Sequence, residues 1–131
     1  MMKITFPGGE KVFAHYDNFV IQTDQPVVEG GEGSAPSPFD LFIASIGTCI
    51  GYYVLKFCKQ REIPYEDIVL HLNEEWNPEL RRITRIKVII ELPPSFPAKY
   101  REAIVRTADQ CTVKRHLVAP PEINIETKEK S

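Results

Sequence analysis

Residues Ser37 to Arg61 read SPFDLFIASIGTCIGYYVLKFCKQR, and this stretch decides the fold. Ser37 suits a helix N-cap, Pro38 the first helical position, and Asp40 follows three residues after the cap. The first N–H groups of a helix lack partners, and an acid in the first turn complements the dipole. Lys56, Lys59 and Arg61 place positive charge in the last turns. The pattern predicts one central helix over 38–61. No residue between Leu41 and Leu55 is charged, and the apolar side chains, from Leu41, Phe42 and Ile43 to Val54, Leu55 and Phe57, go round the whole cylinder. A helix of that kind is buried on all sides. Cys49 lies near its middle.

A membrane span needs roughly 20 predominantly apolar residues. This run is shorter and carries Ser45, Thr48 and Cys49, and the opening MMKITF has no apolar signal core. The expectation is a cytoplasmic protein with no membrane partner. The chain has 131 residues, which suits a single domain over 1–131. Its net charge of -2, with no basic run, argues against nucleic acid as a partner. Three cysteines without a secretion signal point to a reducing compartment rather than a disulfide framework.

Upstream of the helix, Lys3–Phe6, Lys11–Tyr16 and Phe19–Thr23 read as strands. Pro7-Gly8-Gly9 and Asp17-Asn18 supply the turns. Residues 1–23 therefore form an N-terminal three-stranded meander. Residues 24–37 are rich in Gly and Pro and show no periodicity, so they read as a structureless loop, either a covering segment or a plain connector.

Downstream, Pro64 enforces the helix stop. Residues 66–92 read as a hairpin. Ile68, Leu70, Leu72 and Trp76 share one face of its first strand, and Ile86, Val88, Ile90 and Leu92 one face of its second. Glu74 falls on the apolar face. Residues 97–117 carry one or two helices, with Tyr100, Ala103, Ile104, Thr107, Ala108 and Cys111 on a buried face. Residues 122–127 alternate Ile123 and Ile125 with polar neighbours and read as a last strand. The order is three strands, helix, two strands, one or two helices, strand: an α+β protein with a largely antiparallel sheet. So small a chain cannot cover the central helix all round, which points to a homodimer. Gly47 and Gly51 fit close approach of another backbone, since each costs roughly 1 kcal/mol in a helix interior.

Cys49 and Cys58 lie nine residues apart on one helix, on opposite faces and roughly 13.5 Å apart along the axis. A disulfide needs Cα atoms within about 7 Å, so these two cannot bridge. A mid-helix Cys in an apolar run is on its face a small core hydrophobe. His15, His71 and His116 are scattered, with no paired ligand spacing, so no metal and no cofactor are expected.

SAPSPFDLFIASIGTC over 34–49, followed about sixty residues later by DQCTVKR over 109–115, resembles the OsmC/Ohr family of thiol-dependent peroxidases. The APSP start is similar to the YhfA-like branch. The resemblance runs over nearly the whole chain from Ser34 onward. It implies an OsmC-like fold, an intertwined homodimer with buried central helices, and sites at the subunit interface. It implies Cys49 as the peroxide-attacking residue and Cys111 as the resolving one, with an organic hydroperoxide as substrate, a role in oxidative-stress defence, and a dithiol reductant such as a lipoylated protein. The peroxidase branches stabilise the thiolate with an N-terminal Arg held by a Glu at the helix start. Here no Arg precedes Arg61, and Phe39 or Asp40 takes the place of that Glu. Asp40, Lys11, His15, Arg115 and His116 are the remaining candidates for stabilising the thiolate or lining the pocket. Two other readings stay open: a dimeric binding module for an apolar small molecule or thiol, and a structural dimer with inert core cysteines.

Overall fold

The computed structural model describes residues 1–131. They form two compact units, 1–45 and 46–131. Helix α1, Pro38–Gln60, begins in the first and continues into the second.

In the first unit, β1 (Lys3–Gly8), β2 (Lys11–Tyr16) and β3 (Phe19–Thr23) pair antiparallel in the order β1-β2-β3. Tyr16 faces Phe19 across a two-residue turn in which Asp17 takes a positive φ of 49°. The loop expected to be structureless is in fact folded on itself. Asp24 is 1% exposed, and its carboxylate accepts hydrogen bonds from the Gln25, Glu32 and Ser34 amides and from the Ser34 hydroxyl. A short 3-10 turn, Val27–Glu29, lies inside the loop. Gly31 is needed there, because a Cβ would run into the Gln25 carbonyl. A carboxylate buried with four donors can order a loop that carries no hydrophobic periodicity.

The N-terminus of α1 forms as its residues dictate. The Ser37 hydroxyl accepts from the Asp40 amide at 3.2 Å, and the Asp40 carboxylate accepts from the Ser37 amide at 3.1 Å. That is a capping box with Asp in place of Glu. The stop precedes Pro64. Glu62 adopts a left-handed φ of 54°, its amide bonds Lys59 O, and the Ile63 amide bonds Cys58 O at 2.9 Å. These are the two bonds of a Schellman motif, with Ile63 buried beyond it. Arg61 lies 3.7 Å over the Phe57 ring and 5.5 Å from that of Tyr100, which fastens this end of the helix.

In the second unit, β4 (Val69–Asn77) and β5 (Arg82–Glu91) form an antiparallel hairpin. Ile86, Val88 and Ile90 turn to one face as expected. Between Glu75 and Trp76 the register slips, so Trp76 pairs with Ile83. This bulge brings Ile83 onto the covered face, whereas Trp76 stays 60% exposed. Two helices follow: α2 (Arg101–Ala108), led in by a 3-10 turn at Ala98–Tyr100, and α3 (Thr112–Val118). The core joins Ile46, Ile50, Val54, Phe57 and Cys58 of α1 to Ile63, Phe96, Ile104, Ala108 and Cys111.

Three expectations need correction. No strand forms over 122–127, and Ile123 and Ile125 are almost fully exposed. Alternation supplies a face, but a strand exists only where another edge takes its backbone bonds. As expected, one chain does not cover α1 all round, for Phe39 and Tyr52 stay exposed. Gly47 does not meet a backbone: a Cβ there would lie 3.1 Å from a Leu72 methyl of β4. Over its 23 residues α1 is also long and apolar enough, by length and composition alone, to cross a membrane, so the run is not too short for that.

Candidate functional site

The local sequence at Asp109-Gln110-Cys111-Thr112 breaks the second helical run and restarts it. Cys111 adopts an extended backbone with ψ 145° and becomes the N-cap of α3. Its sulfur accepts a hydrogen bond from the Lys114 amide at 3.3 Å. The position on a buried helix face expected for Cys111 is therefore a cap position, and the thiol is buried all the same.

That cap turns Cys111 toward α1. Cys49 lies near enough to act on the Cys111 thiol, and both cysteines are free. One turn along α1, the Tyr53 hydroxyl lies 3.1 Å from the Thr112 hydroxyl. Two adjacent residues of α3's start thus meet two residues of α1 spaced four apart, on one side of the helix. Burial pushes the Cys111 thiol above its ordinary range. The Lys114 amide opposes this, the charge and hydrogen bond of Cys49 add to it, and the Lys114 ammonium opposes it again. A protonated Cys111 can donate to the Cys49 sulfur. Cys49 itself is half-buried.

Cys58 is fully buried, and burial pushes its thiol up against a smaller opposing effect from Arg61. A thiol so placed is not a nucleophile at neutral pH.

A cavity of about 530 Å³ is lined by chain neighbours of the two cysteines but by neither cysteine itself. Ile46 and Ile50 of α1 line it with Ile86, Val88 and Ile90 of β5, Ile104, Val105 and Ala108 of α2, and Leu117 and Val118 of α3. Asp109 and Lys114 are its charged residues, and they form an ion pair.

The other candidates from sequence are engaged elsewhere. Lys11 pairs with Glu32 at 2.8 Å, and that contact pushes its ammonium above the usual range. His15 Nε2 lies 2.8 Å from the Thr5 hydroxyl, and Asp40 caps α1. These three belong to the 1–45 unit. Arg115 and His116 are exposed and bond back to Thr112, at 3.3 and 2.7 Å. Sequence reasoning passed over Lys114, the cation beside Cys111. Its signal was spacing: the residue three after an N-cap is the one whose amide returns to the cap. No three His, Cys, Asp or Glu side chains stand together as a metal site.

A family model described as OsmC-like protein matches residues 31–126. Among solved structures, one from Psychrobacter arcticus, named for an osmotic stress induced and detoxification response, superposes with a TM-score of 0.74. It is 25% identical, over 87% of this chain and 85% of that one. A second, from Legionella pneumophila, is named an organic hydroperoxide resistance protein OsmC. It superposes with a TM-score of 0.56 at 20% identity, over 89% of this chain and 87% of that one. No curated protein matches the chain.

Proposed function

The chain belongs to the OsmC-like family, and from that membership we propose that it reduces organic hydroperoxides with Cys49 as the attacking thiol and Cys111 as the resolving one. The observation that supports this reading is that two free cysteines, Cys49 of α1 and Cys111 at the start of α3, lie near enough to act on each other. The apolar cavity between α1, β5, α2 and α3 suits an organic peroxide better than hydrogen peroxide. The name of the Legionella pneumophila structure points the same way.

The chemistry balances without a cofactor. The Cys49 thiolate attacks the outer oxygen of the peroxide, the O–O bond breaks, and the alkoxide leaves as an alcohol with a proton. Cys49 is then a sulfenic acid. Cys111 attacks the sulfenic sulfur, its proton joins the departing hydroxide, and water leaves behind a disulfide. An external dithiol, a lipoylated protein or its like, restores both thiols by exchange.

The same reading makes the protein a cytoplasmic homodimer. Phe39 and Tyr52 of α1, and Ile4, Phe6, Phe19 and Val20 of the meander, are bare in one chain. A second copy covers them more economically than a bilayer, since α1 carries Ser45, Thr48 and Cys49 in mid-run. The 530 Å³ cavity also favours a second reading, a binding module for an apolar molecule with little turnover.

Titration of free thiols after a small excess of cumene hydroperoxide separates the two. Fast loss of two thiols per chain is the expected result. Thiols that persist while an apolar ligand raises the melting temperature would replace the peroxidase with the binding module.

A further inference from the structure

Resolving a sulfenic acid requires a second thiol that can lose its proton at the moment of attack. Cys111 starts badly placed for that. It is fully buried, and it faces another sulfur. No Arg lies in the first sixty residues to help.

The charge available lies on the same short turn. Lys114 contacts Cys111 through its amide, which donates to the sulfur at 3.3 Å, and it also lines the cavity. The ammonium is held by Asp109, the residue that follows α2. Asp109 and Lys114 thus bracket Cys111 in sequence and pair with each other. The titratable groups acting on Cys111 are Cys49 from α1 and Lys114 from α3. Asp109 acts on it through Lys114, and the hydroxyls of Tyr53 and Thr112 bond each other. Arg115 and His116 turn back to Thr112.

We infer that Lys114 is the positioning residue of the resolving step: its ammonium supplies the field in which Cys111 ionises to close on the Cys49 sulfenic acid, and Asp109 holds and moderates that field. The assignment rests on the thiol-pair reading above. It adds a source of activation that acts on the second thiol rather than the first. The Lys114–Asp109 pair is part-exposed, so the ammonium acts on Cys111 through partial solvent screening. When Cys111 gives up its proton to the departing hydroxide, Lys114 keeps the charge of the site balanced.

The test follows thiolate absorbance against pH in a Cys49→Ser, Cys58→Ser chain, where Cys111 is the one thiol present. Lys114→Met should move the titration midpoint to higher pH, Lys114→Arg should restore it, and Asp109→Asn should move it lower. In the chain with all three thiols, Lys114→Met should slow closure of the Cys49–Cys111 disulfide several-fold at neutral pH, because less of Cys111 is thiolate. Dimedone should then trap more of the sulfenic acid. A midpoint that Lys114→Met and Asp109→Asn both leave in place overturns the assignment. If the midpoint moves as stated but wild type consumes no peroxide, the peroxidase reading fails and the control of Cys111 by Lys114 stands.

Discussion

The Tyr53 hydroxyl meets the Thr112 hydroxyl at 3.1 Å, one helical turn past Cys49 and one residue past Cys111. The contact ties α1 to the start of α3 beside the two thiols. It should matter more to geometry than to stability. An exposed neutral hydrogen bond contributes about 0.5–1.5 kcal/mol, so Tyr53→Phe should shift the urea midpoint little. The same variant should lower the effective concentration of the thiol pair several-fold, since orientation is what the tie supplies. Equilibration of the Cys49–Cys111 disulfide with glutathione measures it. An unchanged equilibrium constant would show that the tie is incidental.

The cysteines should differ in kind. Cys49→Ser should lose peroxide consumption, because a hydroxyl at neutral pH supplies almost no anion to attack the O–O bond. Cys111→Ser should reduce one equivalent and stall as a sulfenic acid that dimedone traps. Cys58→Ala should keep the chemistry, as its thiol is fully buried among core residues. It should also lower stability by about 1 kcal/mol, because a buried sulfur is lost from the packing. Mass spectrometry after one equivalent of cumene hydroperoxide should find the Cys49–Cys111 bridge. Cys58 in that bridge would refute the division of roles.

How much of this was legible from residues depends on range. Ser37, Pro38 and Asp40 act within one turn, so the start of α1 could be read directly. The strands of the meander and hairpin were readable for the same reason: alternation and turn residues are local. Glu62 was not readable as a stop, because its left-handed backbone is imposed by the Ile63–Cys58 bond and not by its own preference. The bulge that brings Ile83 onto the covered face depends on register against β4, which no single strand carries. Asp24 looked like one more polar loop residue until its four donors converged. At the site, the identity of the two thiols came from the family pattern. Lys114 escaped notice because its importance lies in a cap geometry that forms only when the chain breaks at Gln110.

Glu62 offers a direct test of that stop. A non-glycine residue in the left-handed region costs roughly 1 kcal/mol, while glycine gives back part of this as unfolded-chain entropy. Glu62→Gly should therefore raise stability by about 0.5 kcal/mol, visible as a higher urea midpoint with an unchanged slope. A lower midpoint would mean that the Glu62 side chain contributes something the Schellman geometry does not explain.

Asp24 predicts the acid behaviour of the loop. Its bonds to Ser34, Gln25 and Glu32 hold the carboxyl at about 2, against 3.8 for a free side chain. The folded form thus binds its proton less readily than the unfolded form. The stabilisation is complete above the unfolded value and is lost as pH falls through about 2. Asp24→Asn should be less stable than wild type at neutral pH, and the gap should narrow on acidification. Melting temperatures of both proteins, measured from neutral pH down to about 2, check it. A gap that stays constant would mean that shape rather than charge holds the loop.

Gly51 tests assembly. A Cβ added there meets nothing within 4 Å in one chain. Leu at this position should therefore improve an isolated helix by up to about 1 kcal/mol. If a second copy packs its backbone against this face of α1, the same Leu must push the copies apart. Gly47 supplies the contrast, because a side chain there strikes Leu72 within the chain. Gly47→Val should lower stability by about 1–3 kcal/mol, the usual range for overpacking. Gly51→Leu should instead keep a folded far-ultraviolet spectrum and weaken the dimer at least tenfold, or about 1.4 kcal/mol. Sedimentation at several concentrations measures both variants. A Gly51→Leu protein that stays dimeric at the concentrations where wild type does would place the second copy on another face of the helix.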